Sequence, residues 1–221
     1  WEDTLFPESC AMGAKPIAEG MGMEVVLEEK YAKGTTDFTP LIAKAKAAGA
    51  EMLFGGTYFP DSVLMVSTSS ELDYSPKCMW LSVGPSEHEF GTELGDLGNY
   101  IWCGVHFETT SKLPGVPEFV KKYSDRWGRE PDYHAARAYA SCQILQEAVE
   151  KTGSSDNKKL GEYIHANAFN TVVGTLKFDE RGVPAPAMVQ LQWQNGKKEV
   201  VHPLGAATAE GIYPMPSWSE R

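Results

Sequence analysis

Apolar positions along this chain fall into two alternating patterns. Short apolar runs at Glu24–Tyr31, Met52–Phe54, Cys78–Val83 and Tyr100–Phe107 read as strands. Between them, Phe38, Leu41, Ile42, Ala45 and Ala48 recur at helical spacing, as do Val63, Leu64 and Val66 within Pro60–Leu72. Asp37 is placed to cap the first of these helices and Gly49 to end it. Gly55-Gly56 and Gly84-Pro85 mark turns after strands, the second opening a helix-like Ser86–Leu97. Trp1–Phe6 reads as the end of a strand whose beginning is missing. Pro7 suits the first turn of a helix running to about Gly20, with Pro16 inside it as a kink. A strand, a crossover helix and a parallel strand in succession make a doubly wound α/β sheet. Such sheets bind ligands at the carboxyl ends of their strands, so the loops are the first place to look for function.

Beyond Phe107 the pattern changes. Glu108–Pro117, rich in Thr, Ser and Pro, has the composition of a crossing between domains. Three helices follow at Pro117–Trp127, Asp132–Lys151 and Asn157–Ala168. Strands are expected at Val172–Asp179 and Ala187–Trp193, with Asn195-Gly196 turning the chain into Lys198–Val201. Tyr213–Trp218 is a Pro-rich extended tail. Residues 117–180 supply three helices but one good strand, so their apolar faces lack a sheet to cover. That imbalance implies an earlier part of a longer chain carrying the sheet.

The 221 residues are 42% hydrophobic and 23% charged, enough apolar material for a core. A net charge of −10 and scattered Lys and Arg argue against nucleic acid and against an anionic membrane surface. No apolar run is long enough to insert in a membrane, and Trp1-Glu2-Asp3 is not a signal peptide. The four cysteines have no CxxC pair and no zinc-like spacing. Three of them sit in apolar or helical surroundings and read as buried free thiols rather than a disulfide framework.

A further pattern runs through nearly the whole chain. It begins with Tyr31-Ala-Lys-Gly-Thr-Thr-Asp-Phe-Thr39, Leu41-Ile, Lys44-Ala-Lys46, Gly55-Gly and Tyr58-Phe-Pro-Asp61. It continues with Pro114–Tyr123, Pro131-Asp-Tyr133, Ala138-Tyr-Ala140, Gln143, Glu147-Ala148, Thr171–Gly182 and Gln192-Trp-Gln194. In this order and spacing the chain resembles the second half of a branched-chain amino-acid type solute-binding protein, the periplasmic receptor of an ABC importer. The resemblance implies a type I periplasmic-binding-protein fold, with one lobe nearly complete and part of the second. Residues 1–107 would be the second lobe lacking its first strand, 108–116 an interlobe crossing, 117–188 the closing elements of the first lobe, and 189–221 the return crossing and tail. It also implies a small-molecule solute and ABC permease transmembrane subunits as partners, a periplasmic or extracellular location with a signal peptide upstream, and no cofactor. A sensor of the same fold, reporting to a regulator, is the alternative output.

The resemblance places solute contacts at the strand-end loops. Phe6 matches a position where the family sets an aromatic ring over the solute, although it could equally staple onto the following helix. Thr57, Tyr58 and Phe59 follow the glycine turn, and Tyr58 matches a contact position with the register uncertain by one. Pro85, Ser86 and Glu87 match the loop that offers a carboxylate to the solute's ammonium group, with the acid one residue late. A carboxylate there suits a water-poor cleft, although Ser86 could simply cap a helix and Glu87 complement its dipole. Tyr133, at the start of the long helix, would meet the solute, while its neighbour His134 reads as solvated. The remaining contacts belong to a part of the family's pattern that these residues do not contain, so the solute's identity stays open between an amino acid, an aromatic acid and a small amide.

Catalytic patterns are absent. There is no G-x-S-x-G nucleophile turn, and Gly20-Met-Gly22 lacks the third glycine of a dinucleotide fingerprint. Glu87-His88-Glu89 holds metal-ligand chemistry, but three consecutive helical residues point in different directions and read as a solvated face. The expectation is therefore a binding protein with no catalytic residue and no metal.

Overall fold

The computed structural model describes residues 1–184 and 188–221. It divides into two compact units, Trp1–Gly104 with Gln190–Arg221, and Val105–Val189.

The first unit is built on a five-stranded sheet of order β1-β2-β3-β6-β7, where β1 is Met52–Gly55, β2 Cys78–Leu81, β3 Trp102–Val105, β6 Val189–Gln194 and β7 Lys197–His202. β1, β2 and β3 run parallel, with Phe54 opposite Trp80 and Trp80 opposite Trp102. Phe54 and Trp80 stack at 4.6 Å, while the alternate residues Met79 and Leu81 are fully buried. The period of two thus sends one set of side chains into the core and one to the opposite face.

The sheet continues past β1 by single residues. Glu2 bridges Tyr31 in parallel, and its amide donates to Gly56 O at 3.1 Å. Counting these positions, the parallel strands lie in the order second, first, third, fourth, fifth, which is a doubly wound order. The expected strand Glu24–Tyr31 shrinks to this one bridge. A strand needs a partner along its length, and among the described residues the one strand bridge to it comes from Glu2; Val25 and Val26 are 38% and 44% exposed.

Helices α1 (Leu5–Gly20), α2 (Thr39–Ala47), α3 (Phe59–Glu71) and α4 (Glu89–Leu94) connect the strands. α1 contains Pro16 and buries only Pro7. α2 begins where the Asp37 carboxylate accepts the Thr39 amide at 2.9 Å, and it buries Phe38, Ile42 and Ala45 at the expected spacing, with Ala48 exposed. The helix expected over Ser86–Leu97 is instead a 3-10 turn at Gly84–Ser86, the short α4, and a second 3-10 turn at Gly95–Gly98. Gly91 explains one constraint on it: a Cβ there would stand 2.3 Å from the Trp193 ring, so α4 lies directly on β6.

The hairpin β6–β7 turns at Asn195 and Gly196, whose φ values of 51° and 73° are those of the turn expected from an Asn-Gly pair. Of the expected strand Ala187–Trp193, Ala187 lies outside the described residues. The tail then returns to the first unit: Met215 is buried and donates its amide to Lys77 O, and Trp218 donates Nε1 to Tyr74 O at 2.8 Å beneath the Arg221 guanidinium. Desolvation lowers the pKa of that guanidinium to about 10.

The second unit packs α5 (Val116–Trp127), α6 (Tyr133–Thr152) and α7 (Asn157–Ala166) with a two-stranded antiparallel sheet of β4 (Ala168–Thr171) and β5 (Gly174–Lys177). Asp132 caps α6 by accepting the Ala135 amide, and Asp156 caps α7 through Lys159. α6 buries Ala136, Ala140, Ile144 and Ala148, four residues apart, against Phe119, Phe169 and Val172. The single strand expected at Val172–Asp179 is corrected to this hairpin, because the chain reverses at Val172-Val173 to bury both valines. α7 correspondingly ends at Ala166 and not Ala168: Asn167 turns extended and its side-chain amide closes the last helical turn on Tyr163 O.

All four cysteines are free, as expected, but only Cys103 is buried; Cys10 and Cys78 are half-buried and Cys142 exposed. Among the described residues no helix is long and apolar enough to cross a membrane.

Candidate functional site

In a doubly wound sheet the crevice opens where the strand order reverses, because the chain leaves neighbouring strands in opposite directions there. In the first unit that point lies between the Trp1–Asp3 strand end and β1. The loops leaving its carboxyl edge are Thr4–Phe6 and Gly56–Tyr58, and they bring Phe6 and Tyr58 together: the ring centroids are 5.8 Å apart, with the rings 40% and 39% exposed as residues. Two half-exposed aromatic rings in contact at a strand-end crevice offer an apolar face with a hydroxyl at its edge, suited to a flat or branched apolar group bearing polar ends.

The loops at this strand end are cross-braced by hydrogen bonds. Ser82 Oγ accepts the Thr57 amide at 2.9 Å and donates to Thr57 O at 2.7 Å, tying the ends of β1 and β2. Thr57 is fully buried and its hydroxyl shares a 2.8 Å hydrogen bond with Ser62, so its side chain braces the loop. Ser62 also donates to Tyr58 O. Gly84 is required by this crowding: a Cβ would stand 2.0 Å from Ser62 Oγ and 2.7 Å from Tyr58 O. Phe59 is half-buried against the core at the start of α3.

The third loop, Gly84–Glu87, follows β2. Pro85 and Ser86 are buried. Pro85 O accepts the Trp193 indole N–H at 2.7 Å, Ser86 O accepts Lys198 Nζ at 2.8 Å, and the Ser86 hydroxyl donates back to Val83 O. Ser86 therefore closes its own turn and does not cap a helix. Glu87 is half-buried at the end of that turn. Trp193 and Lys198, which fix the backbone of this loop from β6 and β7, were not among the sequence candidates; the Asn-Gly turn shows that they belong to a hairpin, but pattern alone does not show which loop it supports.

Tyr133 belongs to the second unit. It occupies the first turn of α6 after the Asp132 cap, half-buried against that unit's core with its ring 4.0 Å from the His134 ring, and His134 is exposed. The same unit carries an open polar hollow of about 260 Å³ lined by Gln143, Gln146, Glu147, Glu150 and Asn170. Its amides already serve the fold, Gln143 accepting the Val172 amide and Gln146 donating to Glu150.

Beneath Tyr58 lies a buried acidic group. Asp61, 5% exposed, accepts the Tyr58 amide at 3.3 Å, and Glu2, 4% exposed, accepts the Thr4 hydroxyl at 2.7 Å. Burial raises the Asp61 pKa above the usual carboxylate range, and Glu2 pushes it the same way, against the Tyr58 amide, the Tyr31 hydroxyl and the Trp1 ammonium. The Tyr31 hydroxyl is buried and faces Asp61 without completing a sound hydrogen bond; burial and the two acids raise its pKa in turn.

A doubly wound lobe with aromatic groups at its switch point is an α/β fold of the kind that can take ligands at its strand ends. Residues 2–199 match the family model described as periplasmic binding protein, and the chain belongs to that family. Among curated relatives it is 28% identical over 221 residues to Leu/Ile/Val-binding protein homolog 7 of Brucella suis biovar 1, covering 95% of this chain and 55% of that protein. It thus spans about half the length of the curated relatives it matches. Among solved structures it resembles the branched-chain amino acid transporter substrate binding protein LivJ from Streptococcus pneumoniae in complex with isoleucine, with a TM-score of 0.75, 23% identity and coverage of 93% of this chain and 57% of that one. An R. palustris solute binding protein in complex with benzoate gives a TM-score of 0.78 at 16% identity, covering 93% and 56%. The fold is accordingly that of the type I periplasmic binding proteins, and membership of this family implies an extracytoplasmic location.

Proposed function

We propose that this chain is the second lobe, with part of the first, of a receptor that captures a small carboxylate-bearing solute and delivers it to an ABC permease. The solute is an amino acid or an aromatic acid. The observation that carries this reading is the Phe6–Tyr58 pair, half-exposed and in contact at the switch point of a sheet whose loops are otherwise braced. Isoleucine in one structural relative and benzoate in another support the solute class, since both join a carboxylate to an apolar body. In this reading residues 1–107 form the lobe, 108–116 cross between lobes, 117–188 close the other lobe, and 189–221 return. Phe6, Tyr58, Phe59 and Glu87 meet the solute with side chains, Thr57, Pro85 and Ser86 contribute backbone and shape, and Tyr133 is a further contact that rests on the family resemblance alone. A signal peptide precedes these residues in the full-length product.

Such a receptor makes and breaks no bond; it works by population shift, because a solute that binds one conformation better stabilises it by that difference. On the full-length product of the gene, leucine, isoleucine and benzoate are screened by thermal denaturation, and the melting midpoint is expected to rise with the concentration of at least one of them, as linkage requires. Tyr58→Ala is expected to abolish most of that rise while leaving the unliganded midpoint within a few degrees. A midpoint indifferent to every amino acid and aromatic acid, together with turnover of an ester or a nucleotide, would overturn the reading.

A further inference from the structure

We propose that Asp61 is a positioning residue for the solute site: its carboxylate holds the Tyr58 backbone at the carboxyl end of β1 so that the Tyr58 and Phe6 rings meet. This rests on the reading of the Phe6–Tyr58 crevice as the solute site. Tyr58 is the last residue before α3, in an extended conformation with φ −97° and ψ −176°, so the orientation of its ring depends on what fixes its amide and carbonyl. The carbonyl is held by Ser62 Oγ at 2.8 Å and by the Ser62 amide at 3.0 Å. Among the described residues Asp61 alone holds the amide, from a position that is 95% buried and wedged between the strand end at Glu2 and the segment at Tyr31.

A helix can be capped by an exposed aspartate at little cost in desolvation. This one is buried beside a second buried carboxylate, an arrangement that works against its own ionisation. The groups facing it are the Glu2 carboxylate and Trp1 ammonium from the strand end, the Tyr31 hydroxyl from the neighbouring segment, and the Tyr58 amide from its own helix start. Only the ionised carboxylate makes a charge-assisted bond to that amide. Protonation loosens Tyr58, and burial moves that event above the ordinary carboxylate range. The crevice is thereby ordered at neutral pH and loosened on acidification, before the exposed carboxylates titrate.

The ¹⁵N-labelled full-length product is followed by two-dimensional NMR as pH is lowered. The Tyr58 amide is expected to titrate with a midpoint above the ordinary carboxylate range, and the Phe6–Tyr58 ring cross-peaks to fall by more than half through it. In Asp61→Asn, which keeps an oxygen acceptor and removes the charge, the cross-peaks are expected to stay at every pH at the level the natural chain reaches on acidification, and the pH dependence vanishes. In Asp61→Ala they are lost at every pH, while cross-peaks between Met52 and Cys78 across β1 and β2 show that the sheet is intact. A Tyr58 amide that does not titrate, or the same acid-dependent loss in Asp61→Asn as in the natural chain, overturns the proposal, and neither depends on whether Asp61→Ala folds. With isoleucine or benzoate as the probe on the full-length product, Asp61→Ala is expected to bind about tenfold more weakly. If neither probe binds the natural protein, the solute reading fails while the NMR result still decides the role of Asp61.

Discussion

Replacing Phe90 by alanine is expected to destabilise the first unit by about 3–5 kcal/mol, the range for removing a fully buried aromatic side chain. Phe90 has no exposed surface, and its ring lies 5.7 Å from that of Trp193. The lost burial and the cavity left behind both count, because Trp193 cannot follow into the space: its indole N–H is committed to Pro85 O at 2.7 Å, and Gly91 already touches the ring. The strand-end loop at Gly84–Glu87 is expected to loosen with it. Urea denaturation followed by tryptophan fluorescence gives the stability change, and hydrogen exchange at the Ser86 and Glu87 amides reports the loop. A loss below about 1.5 kcal/mol, the size of a conservative core change, would show that the α4–β6 contact is not a determinant of the lobe.

The 221-residue chain on its own is expected to bind a hydrophobic dye such as ANS strongly, with several-fold fluorescence enhancement over a typical folded monomer. α6 buries one face, yet Ala138, Cys142, Leu145 and Val149 form a second stripe at helical spacing that is exposed, Leu145 by 51% and Val149 by 39%. α1 shows the same condition, with Leu5 83% and Ile17 65% exposed. Exposed contiguous apolar surface of this kind is unusual in a stable monomer. The double variant Leu145→Lys, Val149→Lys is expected to lose a large part of the dye signal without losing helicity, since neither side chain belongs to the unit's core. A compact monomer by light scattering, with no dye enhancement, would show that the stripes are not left uncovered in solution.

Much of the fold was legible because its periods are strong. Phe38, Ile42 and Ala45 landed in the core as their spacing required, and Asn195-Gly196 turned the chain where two left-handed residues were needed. Legibility failed where a residue's state depends on a partner. Glu24–Tyr31 has strand composition but, among the described residues, bridges another strand only at Tyr31, and Val172-Val173 resembles the start of a strand yet forms the reversal that buries both side chains. The site shows the same division. Phe6 and Tyr58 were found as aromatic residues at strand ends, whereas the roles of Asp61, Ser82 and Trp193 rest on contacts between residues up to 108 positions apart. Thr57 and Ser86 illustrate the limit: small hydroxyls suited to a ligand instead satisfy the backbone and side chains around them.

The hairpin that steadies the Gly84–Glu87 loop comes from the far end of the chain. The first unit is assembled from residues 1–104 and 190–221, with the second unit inserted between them. Residues 190–221 are made after those of the inserted unit, so the first unit waits without its β6–β7 hairpin while residues 105–189 are synthesised. Premature termination near residue 189 would leave residues 105–189 in place and strip the first unit of its β6–β7 hairpin and of the tail that packs on Tyr74.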